Sequence, residues 1–209
     1  MSALLSNARV VAVVGNGPVS SAAAAGIDRA DVVIRMNHAR LCGVAGRRTD
    51  VLAVNEIIRA QGYARTGRPI NASAFRSARE IWLTYSLVAE THLDGRALVF
   101  IDPPAEIEEL NRAIASFARP GERAMASVGA RVVRYCLKNS EADLLLYGFT
   151  HQGDGSHNWP AEASWMAELA RGGRVRYATT EGPPVRETLA MILSRQSRRA
   201  VNHLRSIRL

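Results

Sequence analysis

What this chain lacks narrows it quickly. It carries two cysteines, Cys42 and Cys136, with no C-x-x-C spacing, which points away from a disulfide framework or a zinc site and toward free thiols used in packing. No run approaches the roughly 18 apolar residues of a transmembrane helix. The opening MSALLSNARVVAVVGNG has neither the basic start nor the cleavage site of a secretion signal. Together these absences predict a soluble, cytoplasmic protein. Aromatic residues make up only 6% and do not alternate with basic ones, so no base-stacking platform and no nucleic-acid partner is expected. Internal repeats and low-complexity linkers are also missing, so the 209 residues, 47% of them hydrophobic, read as one domain over 1–209.

What is present alternates. RVVAVV (9–14), DVVIRM (31–36), TDVLAV (49–54), EIWLTY (80–85), ALVFI (97–101), ADLLLYGF (142–149) and RVRYAT (174–179) are short apolar runs bounded by turn residues or charges, as buried strands are. Between them, VSSAAAAG, PAEIEELNRAIASFA from Pro104, VGARVVRYCLKN from Val128 and PAEASWMAELARG from Pro160 read as helices. Near-continuous apolar strands separated by helices predict an α/β fold: a Rossmann-like, mostly parallel sheet with helices on both faces. The polar, basic stretch 56–79 reads as a loop, a lid or a surface excursion.

The formal charge of +8 is unevenly spread, with nine arginines against two glutamates from Arg171 onward. Leu189, Ile192, Val201 and Leu204 recur at helical spacing among those arginines, which predicts a basic amphipathic helix over about 184–209. It is either a solvated face or a surface for an anionic partner, such as the inner membrane to which the protein would then be peripheral.

The loop VVGNGPVS follows the first strand. In a doubly wound sheet that turn faces the ligand crevice, and Gly15 and Gly17 would let the backbone approach an anion. The dinucleotide fingerprint needs a third glycine where this chain has Ser20. An NADP reading, with Arg35 toward a 2′-phosphate, is therefore the weaker alternative. Asn16 in this loop and Asn37 after the second strand are two neutral amides that could orient a sugar-phosphate without adding charge.

These segments resemble the sialyltransferases of glycosyltransferase family twenty-nine. RVVAVVGNGPVSSAAAAGIDRADVVIRMNHARLCGVAGRRTDVLAV is similar to their large sialylmotif and ASVGARVVRYCLKNSEADLLLYGF to their small one. HNWPAE fits the very short motif H-x-x-x-x-E through His157 and Glu162, in family order. The resemblance implies a modified Rossmann-like fold, a GT-A variant, and a metal-independent, inverting transfer of an acidic sugar. Sialic acid, Kdo or a similar sugar would pass from a CMP-sugar donor to a glycan or glycolipid acceptor, with no cofactor. It implies that Asn16 and Asn37 contact the donor phosphate and ribose, that Ser127, Val128 and Gly129 meet the nucleotide, and that Gly148 lies close to it. His157 would be the base and Glu162 its supporting or structural partner.

Elementary chemistry agrees with the base, since an imidazole of ordinary pKa about 6.5 can take a hydroxyl proton at neutral pH. The positive end of a helix beginning at Pro160 would favour its neutral form. The bland alternatives are a bystander loop histidine, a glutamate placed for the helix dipole, and His151 and Trp159 as local structure. Departures from the family pattern are Val128 in place of a hydroxyl residue and only seven residues between Phe149 and His157, too few for the aromatic, His-containing third motif. The leaving phosphate would then need His151, Arg47 or Arg48 as partner. The chain resembles a small bacterial relative of the kind named urease operon accessory protein, which leaves a second expectation open: an accessory module that keeps the nucleotide crevice without transfer.

Overall fold

The computed structural model describes residues 2–37, 39, 45–55, 72–84, 92–93, 95–153 and 157–178. Residues 56–71 of the expected lid and the expected basic helix at 184–209 lie outside them, as does Cys42.

Among the described residues eight strands form one sheet: β1 (Val10–Val14), β2 (Val32–Met36), β3 (Val51–Asn55), β4 (Glu80–Thr84), β5 (His92–Leu93), β6 (Arg96–Phe100), β7 (Asp143–Tyr147) and β8 (Val175–Tyr177), in the order β5-β6-β4-β3-β2-β1-β7-β8. Seven are parallel; the two-residue β5 pairs antiparallel with β6. Five described helices are α1 (Ser21–Arg29), α2 (Ala72–Ser77), α3 (Pro104–Ala115), α4 (Val128–Asn139) and α5 (Trp159–Arg171). The seven apolar runs of the sequence are thus the seven parallel strands. α2 and β5 were not foreseen; both are too short to carry a periodic pattern.

Period-two alternation divides the strand side chains between two layers. Val11, Val13, Ile34, Val51 and Ala53 face Leu110 of α3, Val132, Val133 and Cys136 of α4 and Trp165 and Met166 of α5. Ala12, Val14 and Val33 face Ile27 of α1, while Leu52, Val54, Ile81 and Leu83 face Ala74 of α2. Both faces being covered is why these strands lack polar alternation. Cys136 is fully enclosed and its thiol is pushed up by burial, so it packs.

Helix starts follow local chemistry. Ser20 caps α1 by accepting from Ala23 N–H at 3.3 Å, Ser127 caps α4 through Ala130 N–H at 3.2 Å, and Asn158 caps α5 through Ala161 N–H at 3.2 Å. Because the asparagine caps, α5 begins at Trp159, with Pro160 in its first turn.

From β1 the chain steps outward through β2, β3, β4 and β6, then returns across the sheet to place β7 and β8 on the other side of β1. The strand order therefore reverses between β1 and β7. In open parallel sheets that switch point, at the carboxyl ends of the strands, is where a crevice for ligands forms.

Candidate functional site at the carboxyl edge

The floor of the crevice is made of glycine. Val14 pairs with Tyr147, and beyond them Gly15 N–H donates to Tyr147 O at 2.7 Å and Gly17 N–H to Gly148 O at 2.9 Å. A Cβ on Gly15 or Gly17 would stand 2.5 Å from the Gly148 carbonyl oxygen, and Gly148 itself has φ +64°. The glycines therefore serve a close approach of two loops. Both N–H groups are already donating across the floor, so these glycines are expected to let a ligand come close without offering it a free amide.

Beside that floor, consecutive strands end in asparagine. Val14 pairs with Arg35, which sets Asn16 and Asn37 at the same level of the edge. Asn16 is exposed. Asn37 adopts φ 47°, donates its N–H to Ala53 O at 2.8 Å, and accepts the Asn55 N–H on Oδ1 at 3.0 Å. Its amide oxygen is thereby fixed, orienting the carboxamide. Asn55, the last residue of β3, was missed in the sequence; the recurrence of GN, MN and VN after three successive apolar strands was its signal.

The first turn of α4 forms the opposing wall. Ser127 is buried, and both its N–H and its hydroxyl donate to Glu162, to Oε2 at 2.9 Å and Oε1 at 2.7 Å. Val128 and Gly129 follow as the first two residues of the helix, where N–H groups lack intrahelical acceptors. Gly129 lies under Phe149: a Cβ there would be 2.9 Å from the ring. Glu162, 2% exposed in the first turn of α5, thus ties the start of α4 to the start of α5, consistent with the structural role among those expected of it.

His157 stands just before the α5 cap. Its Nδ1 lies 2.8 Å from the Met125 carbonyl, and its ring meets Trp159 edge-on, with centroids 4.9 Å apart. A carbonyl only accepts, so Nδ1 carries the proton and Nε2 is the basic nitrogen of the neutral ring. Next to it Asn158 Nδ2 donates to Glu122 at 2.8 Å, pinning the turn.

His151 has φ 47°; its Nε2 is 2.8 Å from the Tyr177 hydroxyl and its Nδ1 is 4.0 Å from Glu162. Burial holds its pKa below the ordinary histidine value, against the opposing pull of Glu162. A cavity of about 480 Å³ opens alongside, lined by Pro18, Leu146, Gly148, Phe149, Thr150, Tyr177 and Ala178.

Arg47 and Arg48 lie elsewhere, which corrects their assignment as phosphate partners. The Arg48 guanidinium donates to the carbonyls of Ala30 and Asp31 and pairs with Asp50 at 2.9 Å, all ahead of β2 and β3. Arg47 donates its N–H to Asp28, at the end of α1. Both occupy the amino edge, a strand length of roughly 16 Å away. Arg35 is likewise spent: it is 1% exposed, with its fork on the carbonyls of Ala45 and Arg48, inaccessible to a 2′-phosphate. Among the described residues no three His, Cys, Asp or Glu side chains converge as a metal set.

No protein-family model matches the sequence. Solved structures share the architecture. A mammalian sialyltransferase superposes with TM-score 0.50 at 20% identity, over 82% of this chain and 69% of that one. The α-2,3-sialyltransferase of Campylobacter jejuni does so with TM-score 0.50 at 14% identity, over 90% and 79%. The fold is therefore sialyltransferase-like. At the level of sequence, the urease operon 23 kDa accessory protein of Rhizobium meliloti (strain 1021) is 33% identical, across 82% of this chain and 94% of the relative. On that identity and coverage, the chain belongs to the family of the urease operon 23 kDa accessory protein, built on a sialyltransferase-like α/β fold.

Proposed function

We propose that the protein is a glycosyltransferase that moves an acidic sugar, sialic acid, Kdo or a relative, from a CMP-sugar to a glycan or glycolipid acceptor. The observation that carries this is the Met125 carbonyl on His157 Nδ1, which leaves Nε2 as a base on the same edge as Asn16, Asn37 and the start of α4. In the reaction the acceptor hydroxyl oxygen bonds to the anomeric carbon while His157 Nε2 takes its proton. The bond to the phosphate oxygen breaks and CMP leaves with the electron pair, inverting the carbon. A positioned base of this kind contributes about 10²–10⁴ in rate.

The donor would be held by the side chains of Asn16 and Asn37 and by the Val128 and Gly129 N–H groups, since those of Gly15 and Gly17 are occupied. The positive end of α4 favours the phosphate. His151, with Tyr177, is the candidate phosphate partner that lies on the correct edge; burial favours its neutral form, in which it would contribute a hydrogen bond and not a charge. Glycan as acceptor is supported by the mammalian enzyme, solved in complex with Gal-beta-1-3GalNAc-ortho-nitrophenol.

Calorimetric titration with CMP, with UMP and NADP⁺ as controls, tests the site. Saturable binding of CMP alone is expected, and tight NADP⁺ binding would overturn the assignment. The name of the relative favours a second possibility, a nucleotide-binding accessory protein without transfer. CMP binding with no turnover across CMP-activated acidic sugars would select it.

A further inference from the structure

The segment Met125–Ala126–Ser127 belongs to no strand and no helix, yet its backbone groups are held by side chains from four different places. Ala126 N–H donates to Asn111 Oδ1 of α3 at 2.8 Å. Ala126 O accepts from Arg131 Nε of α4 at 3.1 Å. Ser127 N–H goes to Glu162 of α5, and Met125 O accepts from His157. Arg131 is in turn fixed by Asp102, just past β6, through Nη1 to Oδ2 at 3.0 Å, with both side chains no more than 5% exposed.

A buried ion pair is costly to desolvate, and its placement commonly fixes geometry more than it adds stability. Here it braces a three-residue segment whose first carbonyl, that of Met125, decides which nitrogen of His157 carries the proton. A shift of that peptide plane would release Nδ1 and allow the other tautomer, in which Nε2 is a donor and cannot accept a proton.

We propose that Asn111 and the Arg131–Asp102 pair are positioning residues that set the tautomer of His157 through the Met125 carbonyl. The inference rests on His157 being the base of the proposed transfer, and its primary test does not need turnover. In a long-range ¹H–¹⁵N spectrum of the full chain, neutral His157 shows its proton on Nδ1. Asn111→Ala, which removes the acceptor of Ala126 N–H, is expected to convert a large share of that signal to the Nε2–H form, several-fold above the wild-type minor population. Asn111→Asp, which keeps an oxygen in place, is expected to restore it. A folded Asn111→Ala protein whose His157 tautomer is unchanged overturns the proposal.

Should Asn111→Ala fail to fold, Arg131→Lys is read the same way. It keeps a cation for Asp102 and lacks the fork that reaches Ala126, so an unchanged tautomer overturns the proposal there as well. In turnover the expected signature is a kcat lowered about 10-fold with KM within 2-fold, as loss of an interaction used only in the transition state predicts. A tautomer that shifts in a protein with no transferase activity would retain the positioning role and remove the proposed reaction.

Discussion

The two edges of the sheet are built from different polar residues and put them to opposite uses. At the amino edge the polar groups are turned on one another. Asp31 accepts the N–H groups of Arg9 and Val10, which hold its carboxyl below the usual range. Asp50 accepts from Val33 N–H at 2.8 Å and pairs with Arg48. Buried Glu80 gathers Ser2, Ala3 and Trp82. At the carboxyl edge, strands end in glycine and asparagine, Asn37, Gly148 and His151 take positive φ, and the helices present their first turns. One edge closes the domain; the other leaves donors and acceptors facing outward. The lesson is that a charge counts toward a site only once the edge it occupies is known, as Arg47 and Arg48 demonstrate.

The contrast can be broken by substitution. The largest effect is expected from His157→Ala, which should lower transfer about 10²–10⁴-fold with CMP affinity and thermal midpoint little changed. Undiminished turnover would remove His157 from the chemistry. At the other edge, Glu80→Ala strands three donors and should cost about 2–4 kcal/mol in urea unfolding, leaving CMP affinity as it was. Equal loss of binding would mean that the edges are coupled.

Gly17→Ala forces a Cβ against the Gly148 carbonyl and Thr150 and should part the two loops of the floor. We expect CMP affinity to fall about 10-fold, and a protein that binds normally would show that the glycine contact is irrelevant to the ligand.

The smallest effect concerns pH. Burial raises Asp102 from 3.8 to about 6 despite Arg131 beside it. The folded state therefore binds more protons than the unfolded one in that window, and this group's contribution to stability declines as pH rises from about 4 to about 6. Asp102→Asn should flatten that part of a Tm-against-pH curve, and an unaltered slope would contradict the assignment.

The strands were legible because buried parallel strands are continuous apolar runs, and α4 was delimited to the residue because Ser127 caps it and Asn139 precedes a polar turn. The site was legible where a motif sits at the end of a strand, as for Asn16 and Asn37. It was misread for Arg47 and Arg48, which stand directly before β3 and therefore at the amino end of a parallel strand, the edge away from the crevice. Nor does a sequence show that Glu162 reaches Ser127 across 35 positions, or that a bare carbonyl at Met125 orients His157.

The glycine floor has one further consequence. With Gly15 and Gly17 donating across to Tyr147 and Gly148, the β1–β7 ladder runs two bonds past its strands, so the loop between them is mechanically part of the sheet. Its amides should exchange with deuterium as slowly as those of a core strand. Among the described residues this leaves the first turns of α4 and α5 as the side of the crevice set against a fixed floor, an anvil facing a jaw.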